Sequence, residues 1–139
     1  MAAETEHQRK HEAIRAEFPD LVTKPFECDV GWFPILEAIF GTVRQAIPAG
    51  REGDFMLLQV KEKLGGLRVY YRLSKRVTAS AEAQIHAACS AAEASAAISC
   101  EVCGRPGVLR VQDGGWLITR CDKHADGGVP VPPADEGSE

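Results

Sequence analysis

Two pairs of potential metal ligands near the C-terminal end restrict what this chain can fold into more than any other feature. Cys100 and Cys103 are separated by two residues, and 17 residues after Cys103 the pair Cys121 and His124 repeats the gap. A two-residue gap lets a tight knuckle aim two ligands at adjacent corners of a tetrahedron, and two knuckles complete the shell. Between them, "VLRV" and "WLIT" flank Asp113-Gly114-Gly115, a turn suited to a short hairpin that brings the two pairs together. The spacing predicts a zinc ribbon over residues 100–124, with Cys100, Cys103, Cys121 and His124 as ligands.

Three thiolates and one imidazole make a closed shell, whereas catalytic zinc keeps a position open for water. The His-x-Glu element of zinc deaminases is also absent. The metal is therefore expected to be structural. For a two-stranded ribbon with little core of its own, zinc binding supplies most of the folding energy, on the order of 10 kcal/mol. Glu101 and Asp122, lying between the ligands of each pair, are expected to face solvent or accept hydrogen bonds.

The remaining sequence predicts an α+β domain over residues 1–99. Helices are expected near 3–18, 32–47 and 78–98. In the second, Trp32, Leu36, Ile39, Phe40, Val43 and Ile47 recur at helical spacing, and Pro34 fits the first turn. The third is rich in alanine, with small side chains suited to close approach by the sheet, by the preceding helix or by a second copy in a homodimer. The period-two stretch "FMLLQVKEKLGGLRVYYRLS" breaks at Leu64-Gly65-Gly66 and reads as a β-hairpin over 55–73. Residues 125–139, rich in Pro, Gly and acids, are expected to form a disordered acidic tail.

Five cysteines do not suit a disulfide framework. Cys89 reads as a small core residue, and Cys28, beside Glu27 and Asp29, as a thiol whose ionisation is disfavoured. His7, His11 and His86 read as ordinary surface or helix histidines. No apolar run approaches the roughly 20 residues of a membrane span, and the charged N-terminal stretch lacks the apolar centre of a secretion signal. The expected compartment is the cytoplasm, with no membrane partner.

A formal net charge of −4 gives no global attraction to nucleic acid, so any such binding must come from a local patch. One exists. Alternation along the hairpin puts Leu58, Val60, Leu67, Val69, Tyr71 and Leu73 on a core face, and Gln59, Lys61, Lys63, Arg68, Tyr70 and Arg72 on the other. Residues 55–76 carry six cations against one anion, a local +5 that leaves −9 for the rest of the chain. Cations on an open sheet face commonly serve solubility and edge protection. As a binding face, Lys61, Lys63, Arg68, Tyr70 and Arg72 suit an acidic protein surface or, with Tyr70 stacking on a base, nucleic acid. An enzymatic alternative is a metal-dependent nuclease built on Asp54 and Gln59-Val60-Lys61. It has only one nearby carboxylate, where such sites need several to hold magnesium.

Three stretches, "ECDVGWFPIL", "VKEKLGGLRVYY" and "CEVCGRPGVLR…GGWLITRCDKH", together resemble a group of short proteins encoded in bacteriophages, prophages and bacterial genomes. The likeness spans about residues 27–124 and brings no catalytic residues with it. It implies a small accessory protein of a mobile element, made in a bacterial cytoplasm, that binds a host or viral macromolecule. The expectation is thus a non-enzymatic binding protein whose partner is a bacterial or phage protein, with inhibition of a host defence system as one form of that role. Nucleic-acid binding comes second.

Overall fold

The computed structural model describes residues 4–132. Within them the chain forms three α-helices and two small three-stranded sheets, an α+β architecture with the metal-ligand cluster in its C-terminal region.

Helix α1 (Glu6–Glu17) starts at a capping box, in which Thr5 accepts from the Gln8 N–H and the Gln8 side chain accepts from the Thr5 N–H. Its apolar stripe is thin, with Ile14 buried and Phe18 just beyond the end. Two histidines add what the stripe lacks. His7 Nε2 lies 2.9 Å from the Phe26 carbonyl and 3.0 Å from that of Cys28, and His11 Nε2 lies 3.1 Å from the Lys24 carbonyl. A carbonyl can only accept, so both rings carry their proton on Nε2 and tether α1 to residues 24–28. Their rings also meet Phe33 and Phe26 edge-on. These histidines, expected to be ordinary, are structural ties.

Asp29 caps the short 3₁₀ turn Val30–Trp32, which runs directly into α2 (Phe33–Ala46) with Pro34 in its first turn. Phe33, Leu36, Ile39, Phe40 and Val43 form the buried stripe of α2. The first sheet has the order β1-β2-β3: β1 (Phe26–Glu27) runs parallel to β2 (Phe55–Lys63), and β2 pairs antiparallel with β3 (Gly66–Leu73). Leu64 and Gly65, at φ 55° and 82°, make the two-residue turn between them. Phe26 lies at the centre of the core, its ring 5.1 Å from Phe33 and 6.0 Å from Phe40.

Helix α3 (Ala79–Ala96), capped by Thr78, buries Ala81, Ile85, Cys89, Ala92 and Ala96. It packs against both α2 and β3. The small side chains therefore serve an intramolecular approach. On its outer side, the Tyr71 hydroxyl meets His86 Nδ1, and His86 Nε2 lies 3.4 Å from Glu82.

The face assignment of the hairpin needs one correction. Leu57 pairs with Tyr71 but Gln59 pairs with Tyr70, so β2 holds one extra residue at this point. The bulge turns Leu58 outward, 38% exposed rather than in the core, while Phe55 and Leu57 are buried on one side of it and Val60 on the other. Strict alternation cannot register a residue inserted into one strand only.

The second sheet has the order β5-β4-β6. β4 (Val108–Val111) and β5 (Leu117–Arg120) are the expected ribbon hairpin, and β6 (Val129–Pro130) pairs with Val111 and Arg110. Residues 125–132, expected to belong to a disordered tail, are thus part of the fold. The buried Arg110 holds this return of the chain by donating to the Gly128 carbonyl at 3.2 Å. Residues 133–139, with Asp135, Glu136 and Glu139 of the expected acidic tail, lie outside the described residues.

The bulge generates a paired prediction. Leu57→Ala should lower stability by about 2–5 kcal/mol, as for a buried leucine, and Leu58→Ala by less than about 1 kcal/mol. Urea unfolding of the two variants measures the contrast, and equal losses would rule out the register described.

Candidate metal centre

Each ligand pair sits on a short local structure. In the first knuckle the Cys100 N–H donates to the Arg105 carbonyl at 2.6 Å, and the Gly104 N–H to the Cys100 carbonyl at 2.8 Å. Gly104 has φ 80°, and a Cβ there would lie 3.0 Å from the Gly31 carbonyl oxygen, so glycine suits both the bend and the approach. The second knuckle is a 3₁₀ turn, Asp122–His124, in which the His124 N–H donates to the Cys121 carbonyl. The β4–β5 hairpin brings the two together, as the spacing predicted.

One ligand atom from each of Cys100, Cys103, Cys121 and His124 falls within 4.8 Å of all the others. The Cys103–Cys121 sulfurs are 3.7 Å apart, and His124 Nδ1 lies 3.8 Å from Cys100 Sγ and 3.3 Å from Cys121 Sγ. A tetrahedral ion bound at ordinary zinc distances has edges of about 3.8 Å between sulfurs and about 3.5 Å between sulfur and nitrogen. The four residues fit one metal ion, with Nδ1 as the imidazole donor. Burial works against a Cys121 thiolate, but hydrogen bonds from His124 and the neighbouring cysteines outweigh it and bring the thiol down to about 6.

The cluster is bound to the rest of the protein by the residues around it. The Gly31 N–H donates to the Glu101 carbonyl at 2.7 Å, and Trp32 Nε1–H to the Ser99 carbonyl at 2.9 Å. Glu101 is only 8% exposed, and its carboxylate accepts from the Asp29 N–H at 2.9 Å. It takes the hydrogen-bonding role anticipated for it. Burial pushes its carboxyl up from the usual range; Glu62 and Asp29 push the same way, while the Asp29 N–H and Arg120 oppose. Asp122 accepts from Arg110 Nη2 at 2.7 Å, and Arg110 Nε donates to the Arg120 carbonyl. Neither Arg110 nor the Glu101–Asp29 contact was visible in the sequence, because each acquires its role only through tertiary contact.

The other two cysteines are not part of the cluster. Burial first, then Glu101, Asp29 and Glu62, pushes the Cys28 thiol far above its ordinary range. Burial and Glu93 raise Cys89 to about 11 against a hydrogen bond with Tyr71. Both are protonated thiols of the core.

An open groove of about 1050 Å³ between α1, the start of α2 and the first knuckle reaches Cys103 and His124. Of the charged side chains along it, Lys10 pairs with Glu6, and Glu17 with Arg44.

The cationic residues of the hairpin lie where alternation put them, on the sheet face away from the helices. Lys61 stands directly opposite Arg68, Gln59 opposite Tyr70, and Met56 opposite Arg72. Among the described residues, none of the six cations in 55–76 makes an ion pair; outside this stretch Lys10, Arg15, Arg44, Arg51, Arg110 and Arg120 do, and Arg9, Lys24, Arg105 and Lys123 do not. Glu27, beside Lys61 on β1, is hydrogen-bonded by Gln59 instead. The nuclease constellation is not assembled. Asp54, in the 3₁₀ turn Glu52–Asp54 before β2, is engaged by Arg51 and Ser74, seven residues before Lys61 in sequence.

Comparison with protein-family models, with curated proteins and with solved structures yields no match. Among the described residues, no helix is long and apolar enough to cross a membrane.

Two predictions follow from the centre. Stripping the metal with a strong chelator at neutral pH should remove the amide-exchange protection of residues 108–120 and of the Asp29 and Gly31 amides that donate to Glu101; protection unchanged in β4 and β5 would show that the ribbon folds without the ion. Glu101→Gln retains an acceptor for the Asp29 N–H and removes a buried charge. A carboxyl whose folded pKa is raised binds its proton more tightly when folded, so it loses stability as pH rises through that pKa. The variant should therefore unfold later than the parent at pH 7.5, and the gain should vanish as pH falls into the ordinary carboxyl range.

Proposed function

We propose that this protein is a small, non-enzymatic binding module, held together by a structural zinc ion, whose open hairpin face engages an acidic surface on a bacterial or phage protein. The observation that carries this reading is the pairing of Lys61 with Arg68. Like charges directly across a ladder destabilise a sheet. Here they belong to a face of four cations, Lys61, Lys63, Arg68 and Arg72, none in an ion pair among the described residues. Solubility and edge protection do not require a like-charge pair directly across the ladder. A surface kept for an anionic partner accepts the repulsion and loses it on binding.

Zinc is the usual occupant of a three-sulfur, one-nitrogen tetrahedral set. With four protein ligands it acts as a cross-link, and it presents no position to a substrate. An accessory role in a bacterial cytoplasm, including obstruction of a host defence system, is part of this proposal.

Nucleic acid is the second reading, favoured by Tyr70, which is 42% exposed between Arg68 and Arg72 on the same strand face. Base stacking on such a ring is tolerant of sequence.

Retrieval from bacterial lysate with the intact, metal-loaded protein tests the choice, with Lys61→Glu/Arg68→Glu/Arg72→Glu as control. At 4 Å in a water-like dielectric each reversal changes a charge contact by about 2 kcal/mol, so affinity for the retrieved partner should fall at least about 100-fold. A partner held equally by both proteins would remove the hairpin face from the interaction. Retention of nucleic acid alone, released steeply by salt, would establish the second reading.

A further inference from the structure

Two of the most exposed large hydrophobic side chains lie where the hairpin meets the ribbon. Leu64, 66% exposed, is the first residue of the β2–β3 turn, and Trp116, 74% exposed, immediately precedes β5. The turn is fastened to the ribbon: Thr119 Oγ1 donates to the Gly65 carbonyl at 2.6 Å, and a Cβ on Gly65 would lie 2.6 Å from Leu109 Cδ1 and 3.5 Å from Ile118 N. Leu64 is one residue from Gly65 and Trp116 two from Ile118, so chain geometry keeps their Cα atoms within about 16 Å. A standard interface covers about 800 Å² on each partner, a disc about 32 Å across.

Neither side chain belongs to the buried core. Trp32, the other tryptophan, is fully buried with its N–H bonded, whereas Trp116 makes none of the described side-chain hydrogen bonds or ring contacts. Gly114 and Gly115, both at positive φ, shape the turn that presents it. Leu64 occupies a left-handed turn position that normally takes Asn, Asp or Gly. An apolar side chain there gains nothing from its own turn. Next to it in sequence is Lys63, and from there the cationic face continues through Lys61, Arg68 and Arg72.

We infer that the hairpin–ribbon junction anchors the docking surface. Its occupant is an acidic amphipathic segment of a partner protein, with apolar side chains on Trp116 and Leu64 and carboxylates along Lys61, Lys63, Arg68 and Arg72. This rests on the hairpin face being the contact surface, and it adds the anchor and the chemistry of what docks. Tryptophan is the residue most enriched among interface positions that dominate affinity. A nucleic acid would use less of this surface. Bases could stack on Tyr70 and Trp116, but the exposed Met56, Leu58 and Leu64 add aliphatic area that the apolar side of an amphipathic segment covers and a nucleic acid does not.

The test uses the full, metal-loaded chain and three probes of matched charge: an 18-residue amphipathic Glu/Leu peptide, poly-glutamate and single-stranded oligo-dT. Binding is followed by fluorescence anisotropy of labelled probes and by emission of Trp116. The amphipathic peptide should bind at least tenfold more tightly than poly-glutamate and shift the Trp116 emission to the blue. The double variant Trp116→Ser/Leu64→Asn, with unchanged circular dichroism and melting temperature, should lose that tenfold advantage and keep its affinity for poly-glutamate. Equal binding of peptide and poly-glutamate, or an advantage that survives in the double variant, overturns the anchor while leaving the cationic face in place. Oligo-dT as the tightest probe overturns the acidic-protein occupant. No binding of any probe, or binding unaffected by Lys61→Glu/Arg68→Glu/Arg72→Glu, overturns the reading of the face itself.

Discussion

The structure depends on a backbone contact between the turn before α2 and the first metal knuckle. Gly31 donates its N–H to the Glu101 carbonyl at 2.7 Å, and a Cβ at position 31 would lie 2.3 Å from the Cys100 carbonyl oxygen and 2.4 Å from that of Glu101. Only glycine lets the two main chains approach so closely. Adjoining Gly31 on one side is Trp32, whose N–H is satisfied by Ser99, and beyond it the whole buried stripe of α2. On the other side Asp29 caps the turn and donates its own N–H to Glu101. The knuckle thus supplies partners for backbone groups that the domain core would otherwise bury without any.

This contact changes what the metal does for the molecule. A ribbon tethered by a flexible linker would gain only its own hairpin from the ion. Here an ion held by the four residues would fix the knuckle; the knuckle completes the start of α2, and Thr119 fastens the β2–β3 turn from the opposite side. Arg110 extends the same fixing to the C-terminal side by holding Asp122, the Arg120 carbonyl and the Gly128 carbonyl. A cross-link between Cys100 and His124 therefore constrains segments from residue 29 to residue 130. The two units apparent in the sequence share one set of buried hydrogen bonds.

Much of this was legible in advance, for reasons that differ by residue. The four ligands were readable because a metal imposes its geometry on spacing, and the two-residue gaps record it directly. The α2 stripe and the hairpin were readable because their periods are strong. The bulge at Leu58 was not, since nothing in "FMLLQV" marks which of its consecutive apolar residues is the insertion. His7, His11, Glu101 and Arg110 were also opaque. Each is a polar residue with an ordinary solvent-facing alternative, and only contacts from distant segments decide against it. The two-residue strand β1 is too short to carry a pattern, and β6 was masked by the prolines and glycines around it.

The open sheet face follows from how the layers are stacked. α2 and α3 pack against each other and cover the same side of the first sheet, so its other side must meet water. Polar character is therefore required of that side, but the sign of its charge is not. The chain has more acidic than basic residues, and it could have interleaved them along β2 and β3. Instead Lys61 faces Arg68, while Glu27, the one carboxylate close enough in register to offset them, is held by Gln59. Solvation accounts for an open face that is charged. Edge protection accounts for its predominant sign as well; the exposed tryptophan beside it and the leucine in a turn that usually takes asparagine are what the proposed interface adds to that explanation.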